Sequence, residues 1–254
     1  MDYFKDKKTY RLTLATIFIV LIVVLVYQNR GSVYMKLGDL AFGGKIFSIR
    51  FYNTKIAEAF YTKATNLETA PRWSNYQLSR VNFINGKQRD AVKYADKELE
   101  LYPESCRTNY VRGLAYAYDD KLDEAIQNFK AFNICFPDSW AGHNDLAWFY
   151  FRRGDYENAK KTLEQVINKY PTNPWIQNSY GVALMNSGDF ARAVYAFRAA
   201  EKVAYAMTEE DWGKSYPGND EDIYGEGLEA MRKTIKGNMS LLESKISKIN
   251  KSNK

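Results

Sequence analysis

A 34-residue period runs from Trp73 to about Val203, and it limits the possible folds of this chain more than any other feature. Gly113 and Gly181 form one glycine register of that period, and Asp120 takes a place that glycine holds in three other copies. A fixed period of this length is typical of architectures in which similar helical units stack on one another. The residues that carry the period are Pro103, Pro137 and Pro171; Ala91, Ala125, Ala159 and Ala193; and Gly86, Gly154 and Gly188.

Each period contains two apolar runs at helical spacing, separated by a turn. In two copies the turn reads Gly154–Tyr156 and Gly188–Phe190, where glycine and aspartate interrupt the runs. Proline ends the second run because it lacks an amide hydrogen and clashes with the preceding helical turn. The pattern therefore predicts helical hairpins, of which about three must stack to bury their apolar faces.

The order of small and large residues is best seen between Trp140 and Pro171, and it resembles the tetratricopeptide repeat family. The resemblance covers residues 72–205 in four copies and implies an all-α, right-handed solenoid of helical hairpins. It also implies that the first helix of each hairpin lines a concave groove for a protein or peptide. The residues in this order are Leu146, Ala147, Tyr150, Gly154, Tyr156, Ala159, Leu163, Val166 and Pro171.

Five positions depart from the family pattern, including Ala95 in place of the large aromatic residue and Glu98 near the end of the same copy. Arg112 replaces the usual leucine, Phe132 replaces a small residue, and His143 stands where tryptophan is frequent. We expect less ideal packing in those copies. The Lys/Asn/Arg clamp that captures C-terminal carboxylates in some members is also missing, since its places hold Tyr76, Arg80, Val111, Ala141 and Asp145.

Aromatic residues and arginine dominate the outward positions of the predicted first helices, and such residues are frequent hot spots of protein interfaces. Packing against the adjacent repeat is the alternative role for several of them. The predicted groove residues are Trp73, Tyr76, Arg80, Phe83, Arg107, Tyr110, Leu114, Tyr118, Asn144, Trp148, Phe151, Arg152, Trp175, Asn178, Val182 and Met185.

An uncharged run of sixteen residues, Leu12 to Tyr27, precedes the repeats. As a helix it would measure about 24 Å, against about 30 Å for the bilayer core. With its flanking residues it predicts a transmembrane signal-anchor helix over 12–29. The sequence after it lacks the small-x-small pattern of a signal-peptide cleavage site.

The charges around this run predict its orientation. Four Lys/Arg lie in residues 1–11, and only Arg30 and Lys36 follow within about ten residues. By the positive-inside rule, the N-terminus should be cytoplasmic and the repeats extracytoplasmic. The reversed orientation remains an alternative.

The regions beside the four repeats carry weaker patterns. In 30–71, glycines divide residues 30–45 into short pieces, and a helix of a partial repeat is expected from about Ile46 to Leu67. In 206–254, an acidic loop at 209–222 precedes an amphipathic capping helix and a basic tail. The loop acids Asp211, Asp220, Glu221 and Asp222 do not have EF-hand spacing.

The sequence has few residues that could support catalysis or bind a metal ion. The chain has two cysteines and one histidine, whereas a structural zinc site usually needs four such ligands. No phosphate loop, nucleophile elbow or HExxH motif is present, so we expect neither a cofactor nor an enzyme. Cys106 opens one predicted helix and Cys135 ends the next, which makes a disulfide possible beside the alternative of two free thiols.

The net charge of +6 is compatible with a basic, solvated surface or with attraction to anionic lipid headgroups. No Lys/Arg block is dense enough to favour nucleic acid. The interpretation that follows is a single-pass membrane scaffold that binds another protein or peptide in its groove. The alternative is an enzyme or glycan-binding protein that uses the groove and the acidic loop.

Overall fold

The computed structural model describes residues 2–46, 49–215 and 223–252, and the chain divides into two compact units, Met1–Val81 and Asn82–Lys254. The predicted loop acids Asp220, Glu221 and Asp222 lie outside the described residues.

Helix α1 (Asp2–Gln28) begins the first unit. Its segment Thr9–Gln28 has 20 residues with a mean hydropathy of 2.3, and none of this stretch is buried. Twenty helical residues extend about 30 Å, which matches the thickness of a bilayer core. The segment is therefore long and apolar enough to cross a membrane.

A helix, a two-stranded hairpin and another helix follow: α2 (Arg30–Ala41), β1 (Phe42–Ile46), β2 (Ile49–Tyr52) and α3 (Thr54–Thr65). The strands pair antiparallel. Two expectations were wrong here, since glycines do not divide residues 30–41 and the third helix does not begin at Ile46. Aromatic and β-branched residues favour a strand over 49–52, and Asn53 caps α3 by accepting a hydrogen bond from Ile56 N at 3.0 Å.

Tyr61 closes the core of the first unit. The stripe Ala57, Tyr61 and Ala64 on α3 is fully buried. The Tyr61 hydroxyl donates to Asp39 Oδ1 at 2.7 Å, and Gln77 Nε2 donates to the same oxygen at 2.9 Å. Asp39 on α2 is thereby fixed from two other segments of the unit.

The second unit is a solenoid of stacked helices. Helix α4 (Ser74–Ile84) leads into it from the first unit. From α5 to α11, each helix packs against the next one in sequence, as the 34-residue period predicted. The helices are α5 (Gln88–Leu101), α6 (Cys106–Tyr118), α7 (Leu122–Cys135), α8 (Trp140–Arg152), α9 (Tyr156–Glu164), α10 (Pro174–Asn186) and α11 (Phe190–Ala206).

The periodic glycines have two separate physical causes. Gly86, Gly154 and Gly188 adopt φ of 74°, 78° and 83° in the turns between paired helices, and Asp120 adopts 61° at the equivalent place. Gly113 belongs to the other register and lies against the ring of Phe129. A Cβ there would come within 2.7 Å of the ring, and the same holds for Gly181 and Phe197.

Two further helices close the solenoid, α12 (Glu209–Ser215) and the amphipathic α13 (Tyr224–Ser252). Leu228, Ile235 and Leu242 on α13 are buried, as the predicted apolar stripe required. Arg232 donates from Nε to Ala204 O at 3.0 Å and from Nη2 to Met207 O at 2.9 Å. It thereby satisfies carbonyl groups at the end of α11, where a cation is also favoured by the helix dipole.

Candidate functional site

Side chains one repeat apart meet along the first helices of successive hairpins. The Tyr110 hydroxyl on α6 donates to Asp145 Oδ2 on α8 at 2.5 Å. Ser179 on α10 donates from Oγ to Asn144 Oδ1 at 2.7 Å. Helices α6, α8 and α10 are therefore held side by side, and together they form one continuous surface.

A hollow of about 540 Å³ opens between α6 and α8. Tyr118 and Trp148 are its exposed aromatic walls, with 71% and 51% of their surface accessible. Trp148 stacks on Phe151, with ring centroids 5.6 Å apart, and Tyr118 contacts Phe83 edge-to-face at 5.3 Å. We call this site the α6–α8 hollow, and its lining consists of Leu114, Ala117, Tyr118, Asp119, Asp120, Asp145, Trp148, Phe149 and Arg152.

The aromatic surface continues beyond this hollow. Trp148 also lines a narrower crevice of about 40 Å³, to which Val182 of α10 contributes an apolar wall. One tryptophan of α8 is thus shared by two depressions, one lined by α6 and the other by α9 and α10. An extended segment could contact both depressions at once.

Arg152 has a structural role within the α6–α8 hollow. Its Nη1 donates to Ala117 O at 3.0 Å, and its Nη2 pairs with Asp120 Oδ1 at 2.5 Å. The guanidinium thereby satisfies a carbonyl group of the last turn of α6. Arg152, a predicted partner-binding residue, thus already has partners within the solenoid.

Two carboxylates of the hollow differ in their electrostatic surroundings. A hydrogen bond and the charge of Lys121, whose Nζ lies 2.9 Å from Asp119 Oδ2, lower the pKa of Asp119. Burial raises the pKa of Asp145 to about 6, although hydrogen bonds from Tyr110 and Asn144 act in the opposite direction. Both carboxylates are therefore predominantly charged at neutral pH.

Asp119, Asp120 and Asp145 were not among the groove residues predicted from the helical pattern. In the repeat pattern, Asp145 occupies one of the places of the absent carboxylate clamp. The sequence did contain a usable signal, since Asp119 and Asp120 directly follow α6 and Asp145 lies on α8, the first helix of the next hairpin.

Other predicted groove residues have partners within the fold. Asn238 Nδ2 of α13 donates to Asn178 Oδ1 at 3.0 Å, so the capping helix reaches the end of the predicted groove. The rings of Trp140 and Trp175 lie 5.3 Å apart. Arg107 is exposed, and its guanidinium lies 6.0 Å from the Phe136 ring.

Three predicted groove residues lie in the first unit. Trp73 contacts Tyr76 edge-to-face at 5.7 Å. The Arg80 guanidinium lies 4.9 Å above the Phe42 ring, and its Nη1 donates to Gln77 Oε1 at 2.8 Å. These contacts hold the three side chains against their own unit.

The structure joins Cys106, at the start of α6, to Cys135, at the end of α7, in a disulfide with a Cα–Cα distance of 6.3 Å. The hydrogen-bond partners of His143 are not the cysteines. Its ring nitrogens face Ser139 O at 2.9 Å and Gln165 Oε1 at 3.2 Å. Within the described ranges, no group of three or more His, Cys, Asp or Glu side chains could hold a metal ion.

Comparison with known proteins agrees with this geometry. The family model described as "Tetratricopeptide repeat" matches residues 145–173. The tetratricopeptide repeat-containing protein trd-1 of Caenorhabditis elegans is 23% identical over 139 residues, which are 54% of this chain and 18% of that protein. This chain thus matches less than a fifth of that relative's length.

Solved structures of MamA show the same fold. One MamA crystal structure superposes with a TM-score of 0.58 at 20% identity, covering 74% of this chain and 96% of that one. MamA from Desulfovibrio magneticus RS-1, from residue 41 to its end, gives 0.61 at 15% identity, with coverages of 70% and 97%. The helical solenoid of this chain therefore has the fold of MamA, and its residues 145–173 match a tetratricopeptide repeat.

Proposed function

We propose that this tetratricopeptide-repeat chain is a membrane-anchored scaffold. Helix α1 crosses the bilayer, and the surface of α6, α8 and α10 binds a segment of another protein. Tetratricopeptide repeats serve as protein-interaction surfaces, and we extend that role to this chain. The proposal includes no catalytic activity.

The proposal rests on one observation: two exposed aromatic rings, those of Tyr118 and Trp148, line the same hollow. Exposure alone is not informative, since Tyr195 on α11 is 73% accessible and lines none of the depressions described above. Tyr118 and Trp148 differ because both line one hollow of about 540 Å³. Rings in a concavity can lose water on several sides when a partner binds, which is typical of interface hot spots.

The charge distribution and the disulfide support the orientation that we propose. The segment 1–11 has four Lys/Arg, which favours a cytoplasmic N-terminus. Disulfides persist in oxidising compartments, and the Cys106–Cys135 pair would be stable on the extracytoplasmic side.

Site-specific crosslinking in intact membranes tests the groove. A photoreactive residue in place of Tyr118 should give a discrete protein adduct, and the same residue at Tyr195 should not. Trp148→Ala should strongly reduce the adduct from position 118 because it removes the opposite wall of the hollow. Identical adducts from positions 118 and 195, or none from 118 in a folded and anchored protein, would refute the groove proposal.

A further inference from the structure

The α6–α8 hollow has the opposite charge character to the rest of the chain. Its lining contains three carboxylates, those of Asp119, Asp120 and Asp145, and a single cation, Arg152. The chain as a whole carries a net charge of +6. A concave surface with an excess of one charge concentrates field lines and attracts groups of the opposite sign.

These carboxylates retain capacity for another ligand. Asp120 pairs with Arg152 through Oδ1, yet its side chain is 85% exposed. A carboxylate offers about four acceptor sites, so one ion pair leaves others open to a second donor. Asp145 accepts from Tyr110 through Oδ2 and from Asn144 through Oδ1 at 3.3 Å, a long second bond that a stronger donor could replace.

The aromatic walls, like the carboxylates, favour a cationic ligand. An ammonium or guanidinium group is attracted to the face of a tryptophan or tyrosine ring, and tryptophan is the strongest of these partners. Trp148 stacks on Phe151, and half of its surface remains accessible. Rings and carboxylates that line the same hollow can contact one cationic side chain together.

We infer that the α6–α8 hollow binds a partner segment through an arginine or lysine side chain, with Asp120 and Asp145 as acceptors and Trp148 and Tyr118 as aromatic walls. The inference rests on the proposed function, because it requires this surface to be the binding surface. Charge complementarity selects a cationic segment over a purely apolar one. It also disfavours an acidic segment, because the lining of the hollow has more carboxylates than cations.

A peptide panel on the purified full chain in non-ionic detergent tests the inference. The peptides are fluorescent and identical except for a central arginine, lysine, norleucine or glutamate, and binding is followed by anisotropy. We expect arginine and lysine peptides to bind at least about tenfold more tightly than the norleucine peptide. Their binding should weaken from about 0.1 M to about 1 M salt, where the Debye length falls from roughly 10 to roughly 3 Å.

Two variants locate the charge effect. Asp120→Asn and Asp145→Asn should each reduce binding of the arginine peptide by about fivefold or more, with little change for the norleucine peptide. Asp138→Asn is the matched control, because Asp138 pairs with Lys169 at 2.6 Å, is 74% exposed and lies outside the hollow. Unchanged circular dichroism and a cooperative thermal transition establish that each variant is folded.

The outcomes separate this inference from the proposed function. If norleucine binds as tightly as arginine, or if neither hollow variant weakens the arginine peptide, the cationic inference is wrong and the groove can still bind an apolar segment. If a crosslink forms at position 118 but no basic peptide binds, the cationic inference also fails. If no peptide binds and no crosslink forms, both proposals fail.

Discussion

Tyr110 on α6 and Asp145 on α8 are separated by one repeat in sequence and joined by a 2.5 Å hydrogen bond, in which the phenol donates to Oδ2. The bond connects two neighbouring hairpins and places a carboxylate at the edge of the α6–α8 hollow. Burial raises the pKa of that carboxyl from 3.8 to about 6. A structural contact and the charge of the candidate site therefore depend on the same residue.

Replacing Asp145 by asparagine should change how stability depends on pH. The folded-state pKa lies above the unfolded value, so the folded protein holds the proton more tightly. Ionisation of Asp145 consequently lowers the free energy of unfolding. The whole loss is present above about pH 6, and none of it is present well below pH 3.8. The upper limit of this loss is about 3 kcal/mol, and partial exposure reduces it to about 1–2 kcal/mol.

The measurement is urea unfolding of wild type and Asp145→Asn in detergent between pH 4 and pH 7. The stability of the asparagine variant relative to wild type should rise by about 1–2 kcal/mol over this range. Asp138→Asn is the control, since its exposed ion pair should contribute little at either pH. A relative stability that stays constant with pH would contradict the assignment.

The repeats show why part of the fold was predictable. Gly86, Gly154 and Gly188 recur because each turn between paired helices needs a positive φ, which Asp120 adopts at the equivalent place. The packing glycines, Gly113 and Gly181, recur because an aromatic ring lies against each of them. The β1–β2 hairpin was missed because the apolar run from Ile46 was read as one helix, although Ile49 and Phe51 alternate as in a strand. The cap at Asn53 marks the start of α3 after the hairpin.

The candidate site was less predictable than the fold. Helical projection found Tyr118 and Trp148 because outward direction depends on local geometry alone. It could not show that Arg152 binds the end of α6, or that Asn178 contacts α13, since both depend on how neighbouring helices are spaced. Contacts between repeats decide which outward residues remain available to a partner.

The packing glycines should not tolerate a methyl group. Gly113→Ala places Cβ 2.7 Å from the buried Phe129 ring, and Gly181→Ala does the same with Phe197. We expect each to lower the free energy of unfolding by about 1–3 kcal/mol through overpacking. Gly237→Ala on α13 is the matched control, because nothing lies within 4 Å of its added Cβ.

The control should change stability in the opposite direction. Alanine favours a helix interior over glycine by about 0.5–1 kcal/mol, so Gly237→Ala should be neutral or stabilising. Urea unfolding of the three variants under one condition provides the comparison. Equal effects at Gly113 and Gly237 would show that the ring contact does not determine the glycine register.

Arg152 should contribute more to stability than its neighbour Arg153. Arg152→Ala removes the bond to Ala117 O and the pair with Asp120, and we expect a loss of about 1–2 kcal/mol. Arg153 pairs with Asp123 and Asp155 at the surface, where such pairs contribute about 0–1 kcal/mol. Thermal unfolding of the two alanine variants tests the order, and an equal or larger loss at Arg153 would contradict it.

The disulfide provides a prediction about both stability and compartment. Cys106 and Cys135 enclose a loop with a sequence separation of 29. Loss of the bond in Cys106→Ala/Cys135→Ala should therefore lower the free energy of unfolding by about 3–4 kcal/mol. Reductant should destabilise the wild type and leave this double variant unchanged, which separates bond loss from the substitutions themselves.

The same bond reports the orientation of the chain in cells. We expect both thiols to resist alkylation in intact cells and to react only after reduction with an agent that does not cross the membrane, as a domain in an oxidising compartment requires. A maleimide that cannot cross the membrane should then label the wild type and not Cys106→Ala/Cys135→Ala. Thiols that are free without reductant, and labelled only after the membrane is opened, would reverse the proposed topology while leaving the solenoid intact.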